Sequence, residues 1–164
     1  MIGYKKRIAA AMGIFLSMVA ISKAGRAGDG TLPFKWAGYI QSSTGESVPL
    51  FLNLKSQSHL AALADEVGCI SDLGFESGYF TEGSLSIDKQ KNLEIDIREF
   101  KVTGYCFDDV QSKRADFVLF DAEGGVHHLV GKIQNRRHRT IFNGSFLGYS
   151  VMISTELGTN GNYR

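Results

Sequence analysis

Residues 47–54 read SVPLFLNL and carry the clearest strand pattern in the chain. Apolar side chains fall at every second position: Val48, Leu50, Leu52 and Leu54. Since successive side chains of a strand point to opposite faces, this alternation predicts a β-strand with one buried face. Pro49 has no N–H to donate to a ladder, so the strand is expected to lie at a sheet edge or to begin at one.

The same kind of pattern recurs along the chain, separated by turn-forming sequence. Residues 42–46, 122–125 and 143–144 contain Ser, Asn or Gly in arrangements that favour tight turns. Between the turns we predict eight or nine strands, at 35–42, 47–54, 79–87, 93–106 (one long strand bent at a bulge, or two at 93–97 and 100–106), 116–121, 126–133, 139–142 and 146–154. Eight or nine short strands predict an all-β fold, either an antiparallel β-sandwich or a small β-barrel. The pattern does not separate the two, because closure depends on register and shear.

The strands predicted at 93–97 and 100–106 are out of phase with each other. The alternation slips by one residue at Arg98-Glu99, which is typical of a β-bulge. After the slip, the predicted inward set is Phe100, Val102, Gly104 and Cys106. Tyr105 and Phe107 then fall on the opposite, less buried face, where they are candidates for contact with a partner.

A helical period replaces the strand period after residue 57. Apolar residues recur at the spacing of one helix face: Leu60, Leu63, Ala64 and Val67. This spacing predicts one short helix, capped by Ser58 and ended by Gly68 in a left-handed conformation. Three turns are marginal in isolation, so we expect the apolar stripe to dock on the sheet.

Cys69 and Cys106 are the only cysteines of the chain. In an oxidising compartment two thiols predict one disulfide, which would pin the helix to the strand carrying Cys106. Chain entropy assigns such a loop a stabilisation of about 4 kcal/mol. The alternative is a pair of buried free thiols that lie too far apart to bond.

The first 27 residues have the organisation of a secretory signal peptide. Lys5, Lys6 and Arg7 precede an uncharged run, IAAAMGIFLSMVAI, at residues 8–21. This run has 14 residues, whereas a membrane-spanning helix needs about 20. Small residues then predict cleavage after Ala24 or Ala27, leaving no stable membrane span after processing. The signal therefore predicts a periplasmic or secreted protein.

Residues 28–164 are predicted to form a single β-rich domain with a frayed tail at 157–164. Residues 1–27 contain five basic residues and no acidic one. Removing these five from the chain's 18 basic residues leaves 13 against 17 acidic residues, a net charge of −4. A mildly acidic protein has the wrong sign for general nucleic-acid binding, so no nucleic-acid partner is expected.

The densest group of cations lies near a predicted hairpin turn. It comprises Lys132, Arg136, Arg137, His138 and Arg139. Such a group can hold a lipid head group, an anionic polysaccharide or an acidic protein surface. The alternative is a solvated loop whose charges keep a sheet edge soluble. Together with Tyr105 and Phe107, these residues are the candidate binding site.

Sequence motifs for catalysis are weak throughout the chain. His127 and His128 are neighbours on one predicted strand and would point to opposite faces, so they cannot readily hold one metal ion. No HxH, HExxH or GxSxG pattern occurs, and the predicted disulfide would consume both thiols. No catalytic residue, metal site or cofactor is therefore predicted.

These features predict an exported, non-enzymatic binding or accessory protein, such as an inhibitor, an immunity-type protein or an envelope interaction factor. The expected partner is a protein or an anionic envelope or polysaccharide ligand. One alternative is a fimbria-like structural subunit, which would join its neighbours by strand donation. A small secreted hydrolase is the second alternative, and it would need titratable groups that converge in a cleft.

Overall fold

The structure is a computed structural model and describes residues 32–89, 93, 95–108 and 113–156. The predicted signal peptide and C-terminal tail lie outside these residues and stay predictions. These residues contain nine strands: β1 (Lys35–Gln41), β2 (Ser47–Gln57), β3 (Ala62–Leu63), β4 (Ser77–Ile87), β5 (Glu99–Phe107), β6 (Arg114–Phe120), β7 (Val126–Arg136), β8 (Arg139–Phe146) and β9 (Tyr149–Glu156). The same residues include a helix, α1, at Ala64–Val67 and a 3-10 turn at Ser71–Leu73. The predicted all-β class is confirmed.

Eight of these strands close into an antiparallel barrel. Their order is β2-β1-β9-β8-β7-β6-β5-β4, and β2 pairs with β4 to complete the ring. The two-residue β3 is additional and extends the edge of β4 beyond the end of β2. Of the two predicted architectures, the barrel is therefore correct and the β-sandwich is wrong. Pro49 lies just before the β2–β4 ladder begins at Leu50, where its missing N–H costs no bond.

Apolar side chains fill the inside of the barrel. Trp36 and Leu52 illustrate the alternation, since each is almost fully buried while its neighbours along β1 and β2 are more exposed. Large rings contribute much of the filling: Trp36, Tyr105, Phe117, Phe142 and Phe146. An eight-stranded barrel is just wide enough for side chains to fill it, which matches this packed interior.

The apolar residues at 93–97 form no strand in the structure. Leu93 and Ile95 are buried and join the interior cluster, and Ile97 packs against it. The Ile95 N–H donates to the Leu93 carbonyl at 2.8 Å, so the backbone turns locally instead of pairing with a neighbour. The strand prediction was wrong here, because alternate apolar residues are also suitable for a loop that packs into one end of a barrel.

The side-chain phase of β5 differs from the prediction. Register shifts occur between Val102 and Gly104 in the β5–β6 ladder, rather than at Arg98-Glu99. As a result Tyr105 joins Phe100 in the interior, and Cys106 faces outward. The predicted facing of Tyr105 and Cys106 was therefore wrong. A bulge moves every later side chain to the other face, so an error of a few residues in its position reverses them.

The segment between β2 and β4, residues 58–76, packs on the outer surface of the barrel and is called the insert below. Its helix is shorter than predicted, because residues 62 and 63 pair with β4 and Ser58 lies well before α1. The predicted ending is confirmed, since Gly68 has a φ of 91°. Docking is confirmed for half of the predicted stripe: Ala64 and Val67 are buried against Val118 on the outer face of β6, whereas Leu60 and Leu63 are exposed.

A disulfide between Cys69 and Cys106 fixes the insert to β5, as predicted. Two strand glycines make room for this contact. A Cβ at Gly78 would lie 2.5 Å from the Cys106 sulfur, and a Cβ at Gly104 would overlap with Val67. The disulfide points to a non-cytoplasmic compartment, because thiols are kept reduced in the cytosol.

The predicted turn at Asn143-Gly144 is instead the middle of the continuous strand β8. Gly144 pairs with Gly131 of β7, and the Phe142 ring fills the space that the two glycines leave. The turn occurs later, at Leu147 and Gly148, which have φ values of 52° and 81°. Positive φ at both central residues suits a two-residue hairpin turn.

No helix among the described residues has the length and hydropathy that crossing a membrane requires.

Candidate functional site

Four of the five cations predicted as a binding site lie at the β7–β8 hairpin turn, and Lys132 lies four residues before Arg136 on β7, opposite Asn143. We call Lys132, Arg136, Arg137, His138 and Arg139 the basic tip. Arg137 and His138 form the turn, and Arg136 lies opposite Arg139 across the ladder. All five side chains are exposed. Within the part of the chain that the structure describes, none of them forms an ion pair with a carboxylate.

The Arg136–Arg139 pair places two like charges directly across one ladder. Cross-strand neighbours on one face have Cβ atoms about 5 Å apart, and like charges at this distance destabilise the pairing. The register also places the backbone of Glu156 opposite Arg139 on the other side. Packing does not require arginine at either position of the Arg136–Arg139 pair, because this end of the hairpin is exposed. The tip is therefore a local concentration of positive charge that an anion can neutralise.

A groove of about 520 Å³ lies on the outer face of β2, β1 and β9. Ala37 forms its floor, because the register places this small residue between Phe51 and Ser154. Lys35 and Asn53 form a cross-strand pair at the same groove. The backbone of Trp36 and Leu52 completes the lining, since their side chains point into the barrel.

Phe51 is the main apolar surface of this groove. Its ring is 44% exposed, although it sits in the middle of an eleven-residue strand. An aromatic ring beside an amide, a hydroxyl and an ammonium group forms a mixed surface, which has the composition of a small-molecule site. The alternation of β2 predicts that Phe51 faces outward, but it does not identify the ring as part of a site, because alternation says nothing about the size of the residues beside it.

Tyr105 does not belong to a surface site. Its side chain is 0% exposed, and its hydroxyl donates to Gln57 Oε1 at 2.7 Å. Gln57 in turn bonds the backbone of Leu32, so this network holds the N-terminal segment to one end of the barrel. Burial raises the pKa of the Tyr105 phenol well above its ordinary value. A partner cannot reach this side chain, which corrects its assignment as a binding residue.

Phe107 is half-buried and packs against the interior cluster. It therefore lies on the same side of β5 as Tyr105, and neither ring extends the basic tip.

Two histidines of β7 form separate pairs with aspartates. His127 donates from Nε2 to Asp121 Oδ2 at 2.7 Å, and its ring meets Phe100 edge-on. His128 donates from Nδ1 to Asp116 Oδ1 at 3.0 Å on the outer surface. The two rings thus lie on opposite faces of one strand, as predicted.

Both aspartates of these pairs also accept backbone hydrogen bonds that fix nearby segments. Asp116 is completely buried and also accepts the Ile70 N–H at 2.8 Å, which ties the insert to β6. Asp121 Oδ1 accepts the backbone N–H groups of Glu123 and Gly125, which orders the β6–β7 turn. The described residues contain no group of three or more His, Cys, Asp or Glu side chains that could hold a metal ion.

Comparison of the chain with protein-family models, curated proteins and solved structures found no match.

Proposed function

We propose that the chain is an exported, non-enzymatic binding protein that holds an anionic envelope ligand at the basic tip. One observation carries the proposal: Arg136 and Arg139 face each other across the ladder, and no described carboxylate pairs with either. Arg137 and His138 add two further exposed side chains at the same turn. An anionic ligand relieves the repulsion and gains charge-assisted hydrogen bonds from the guanidinium groups.

The distribution of charge supports this proposal. The predicted mature chain has a net charge of −4, so the tip is a positive region on an acidic protein. The tip is the densest group of cations in the sequence, so an anion is attracted there most strongly.

The two alternatives lack a supporting observation in the described part of the chain. A fimbria-like subunit needs an open groove with a missing strand, whereas each of the eight barrel strands has a partner on both sides. A hydrolase needs titratable groups that converge in a cleft, and the two Asp–His pairs described above are separated by the strand between them.

The proposal is tested by replacing Arg136, Arg137 and Arg139 together with Ala. We expect binding to polyphosphate at low salt to weaken by about tenfold, because three charges that meet the ligand are lost. Binding is measured by calorimetry at several salt concentrations, and the variant should also show a shallower dependence on salt.

The control removes three exposed cations elsewhere, Lys55, Lys89 and Lys101, and so changes the net charge equally. This control should bind polyphosphate nearly as tightly as the unmodified chain. An equal loss in both variants contradicts the proposal, since it means that net charge alone governs binding.

A further inference from the structure

The groove on β2, β1 and β9 has a shape that follows from its residues. Ala37 projects only a methyl group, whereas the Phe51 ring stands beside it on β2. Ser154, on the other side, is also small, so the depression continues onto β9. Its volume of about 520 Å³ lies within the range of roughly 300–1,000 Å³ that small-molecule sites occupy.

The groove is lined by an aromatic ring, two neutral hydrogen-bonding side chains and one cation. Phe51 offers a ring face, which carries partial negative charge and attracts polarised C–H groups. Asn53 both donates and accepts hydrogen bonds, and so does the Ser154 hydroxyl. Lys35 adds a positive charge that only donates. This set suits a ligand with an apolar face, several hydroxyl groups and one anionic group.

The groove and the basic tip lie on the same outer surface. The register places Ser154 of β9 opposite both Ala37 of β1 and Ile141 of β8. Arg139 lies two residues before Ile141 on β8. With strands about 4.8 Å apart and a rise of about 3.4 Å per residue, the Arg139 backbone lies within about 10 Å of the groove. An extended anionic chain can therefore contact both places at once.

We infer that this groove is a subsite for an acidic sugar unit, with the pyranose face on Phe51, its hydroxyls on Asn53 and Ser154, and its carboxylate near Lys35. The inference rests on the proposed function, because it identifies the anionic ligand as an acidic polysaccharide whose further charges meet the basic tip. An inorganic polyanion has no apolar face for Phe51, and a lipid head group presents one charge at a surface rather than a row of rings.

The test replaces Phe51 with Ala and measures binding of polygalacturonate, which is an acidic sugar polymer. Polyphosphate serves as an anion without sugar rings, and dextran as a sugar without charge. We expect the Phe51→Ala variant to bind polygalacturonate about tenfold more weakly while its binding of polyphosphate stays unchanged. Dextran should bind the unmodified chain far more weakly than polygalacturonate does.

Phe80→Ala is the matched control, because Phe80 is 47% exposed on a strand of the same barrel and does not line the groove. It should bind both polyanions as the unmodified chain does. The fluorescence of Trp36, the single tryptophan, and the thermal midpoint verify the fold of each variant. If Phe51→Ala unfolds, Asn53→Ala replaces it and should show the same selective loss.

Three results would overturn the inference. The first is equal binding of polygalacturonate by the Phe51→Ala variant and the unmodified chain. The second is unmodified protein that binds polyphosphate but not polygalacturonate. The third is an equal loss by Phe51→Ala on phosphatidylglycerol vesicles, which would assign the groove to lipid. Failure of the proposed function is distinct, because it appears as polyphosphate binding that does not depend on the arginines of the tip.

Discussion

Leu147 is a branched apolar residue in the left-handed region of backbone conformation, with a φ of 52°. It occupies the first position of the β8–β9 turn, and Gly148 with a φ of 81° occupies the second. A side chain with a Cβ carries a steric cost of about 1–2 kcal/mol in this region, which Asn reduces by local hydrogen bonding. The turn is therefore strained at a position with no visible packing role, since Leu147 is exposed.

We predict that Leu147→Asn stabilises the protein by about 1 kcal/mol, because the turn type is retained and its strain falls. The midpoint of urea unfolding, at unchanged slope, measures the gain. Leu147→Ala is the control, since it removes the same exposed apolar surface but tolerates positive φ poorly. Equal midpoints for the two variants would show that loss of surface leucine, rather than turn strain, is responsible.

Asp121 is a second residue whose environment leads to a testable prediction, here for the dependence of stability on pH. The hydrogen bond from His127 and that from the Gly125 N–H hold the pKa of its carboxyl below the ordinary value of 3.8. The ionised form is thus favoured in the folded state. Its contribution to stability is complete above the unfolded pKa and is lost as the pH falls through the lowered folded pKa.

We predict that Asp121→Asn lowers the thermal midpoint at pH 7, and that the difference from the unmodified chain disappears as the pH falls below 3.8. Thermal unfolding followed from pH 7 to strongly acidic conditions measures it. The amide oxygen still accepts the Glu123 and Gly125 N–H groups, whereas the NH2 group replaces the oxygen that accepts from His127, so the variant removes the charge together with that hydrogen bond. A difference that is constant across the whole range would contradict the assignment.

At the scale of elements, closure of the barrel does not depend on the insert. The eight barrel strands are paired through their own ladders, whereas the insert contacts the outer face through α1 and the Cys69–Cys106 disulfide. The Arg114 guanidinium and the Asp116 carboxylate add hydrogen bonds to Leu73 and Ile70. Loss of the disulfide should therefore loosen the insert before the barrel.

We predict that replacing both cysteines with Ala lowers the free energy of unfolding by about 4 kcal/mol, from the chain entropy of a 37-residue separation. Limited proteolysis should cut first within residues 58–76, while Trp36 fluorescence stays native. The Lys89→Ala variant, which changes an exposed side chain outside the insert and keeps the disulfide, is the control. Simultaneous loss of the insert and the Trp36 signal would mean that the barrel itself depends on the bond.

Strands whose burial follows one pattern along their length were predictable from the sequence. β2 is buried on one face from Val48 to Leu54, so its alternation alone located it. β6 is buried on both faces, because the insert covers Asp116 and Val118 while Phe117 points inward. The helix, the strand at 93–97 and the turn at 143–144 were misjudged, since each depends on what another part of the chain brings to it.

At the scale of the whole molecule, the barrel leaves only its outer surface for binding a ligand. The interior is occupied by side chains, so the proposed ligand is held on the outer surface. There the charges of the basic tip and the Phe51 groove lie on neighbouring strands. The tip was predictable because its five residues are close in sequence. The groove was not, because Ser154 reaches Ala37 and Phe51 only through the pairing of β9 with β1, which joins the two ends of the chain.

The sequence by itself determined the all-β class, the disulfide and the basic tip, because each arises from residues whose chemistry or spacing acts locally or has a single possible partner. Export and removal of residues 1–27 stay predictions of the same kind. Only the tertiary structure decided between barrel and sandwich, the facing of Tyr105 and Cys106, and the groove beside Phe51. These depend on register, and a shift of one residue on any strand exchanges its inner and outer side chains while leaving its composition unchanged.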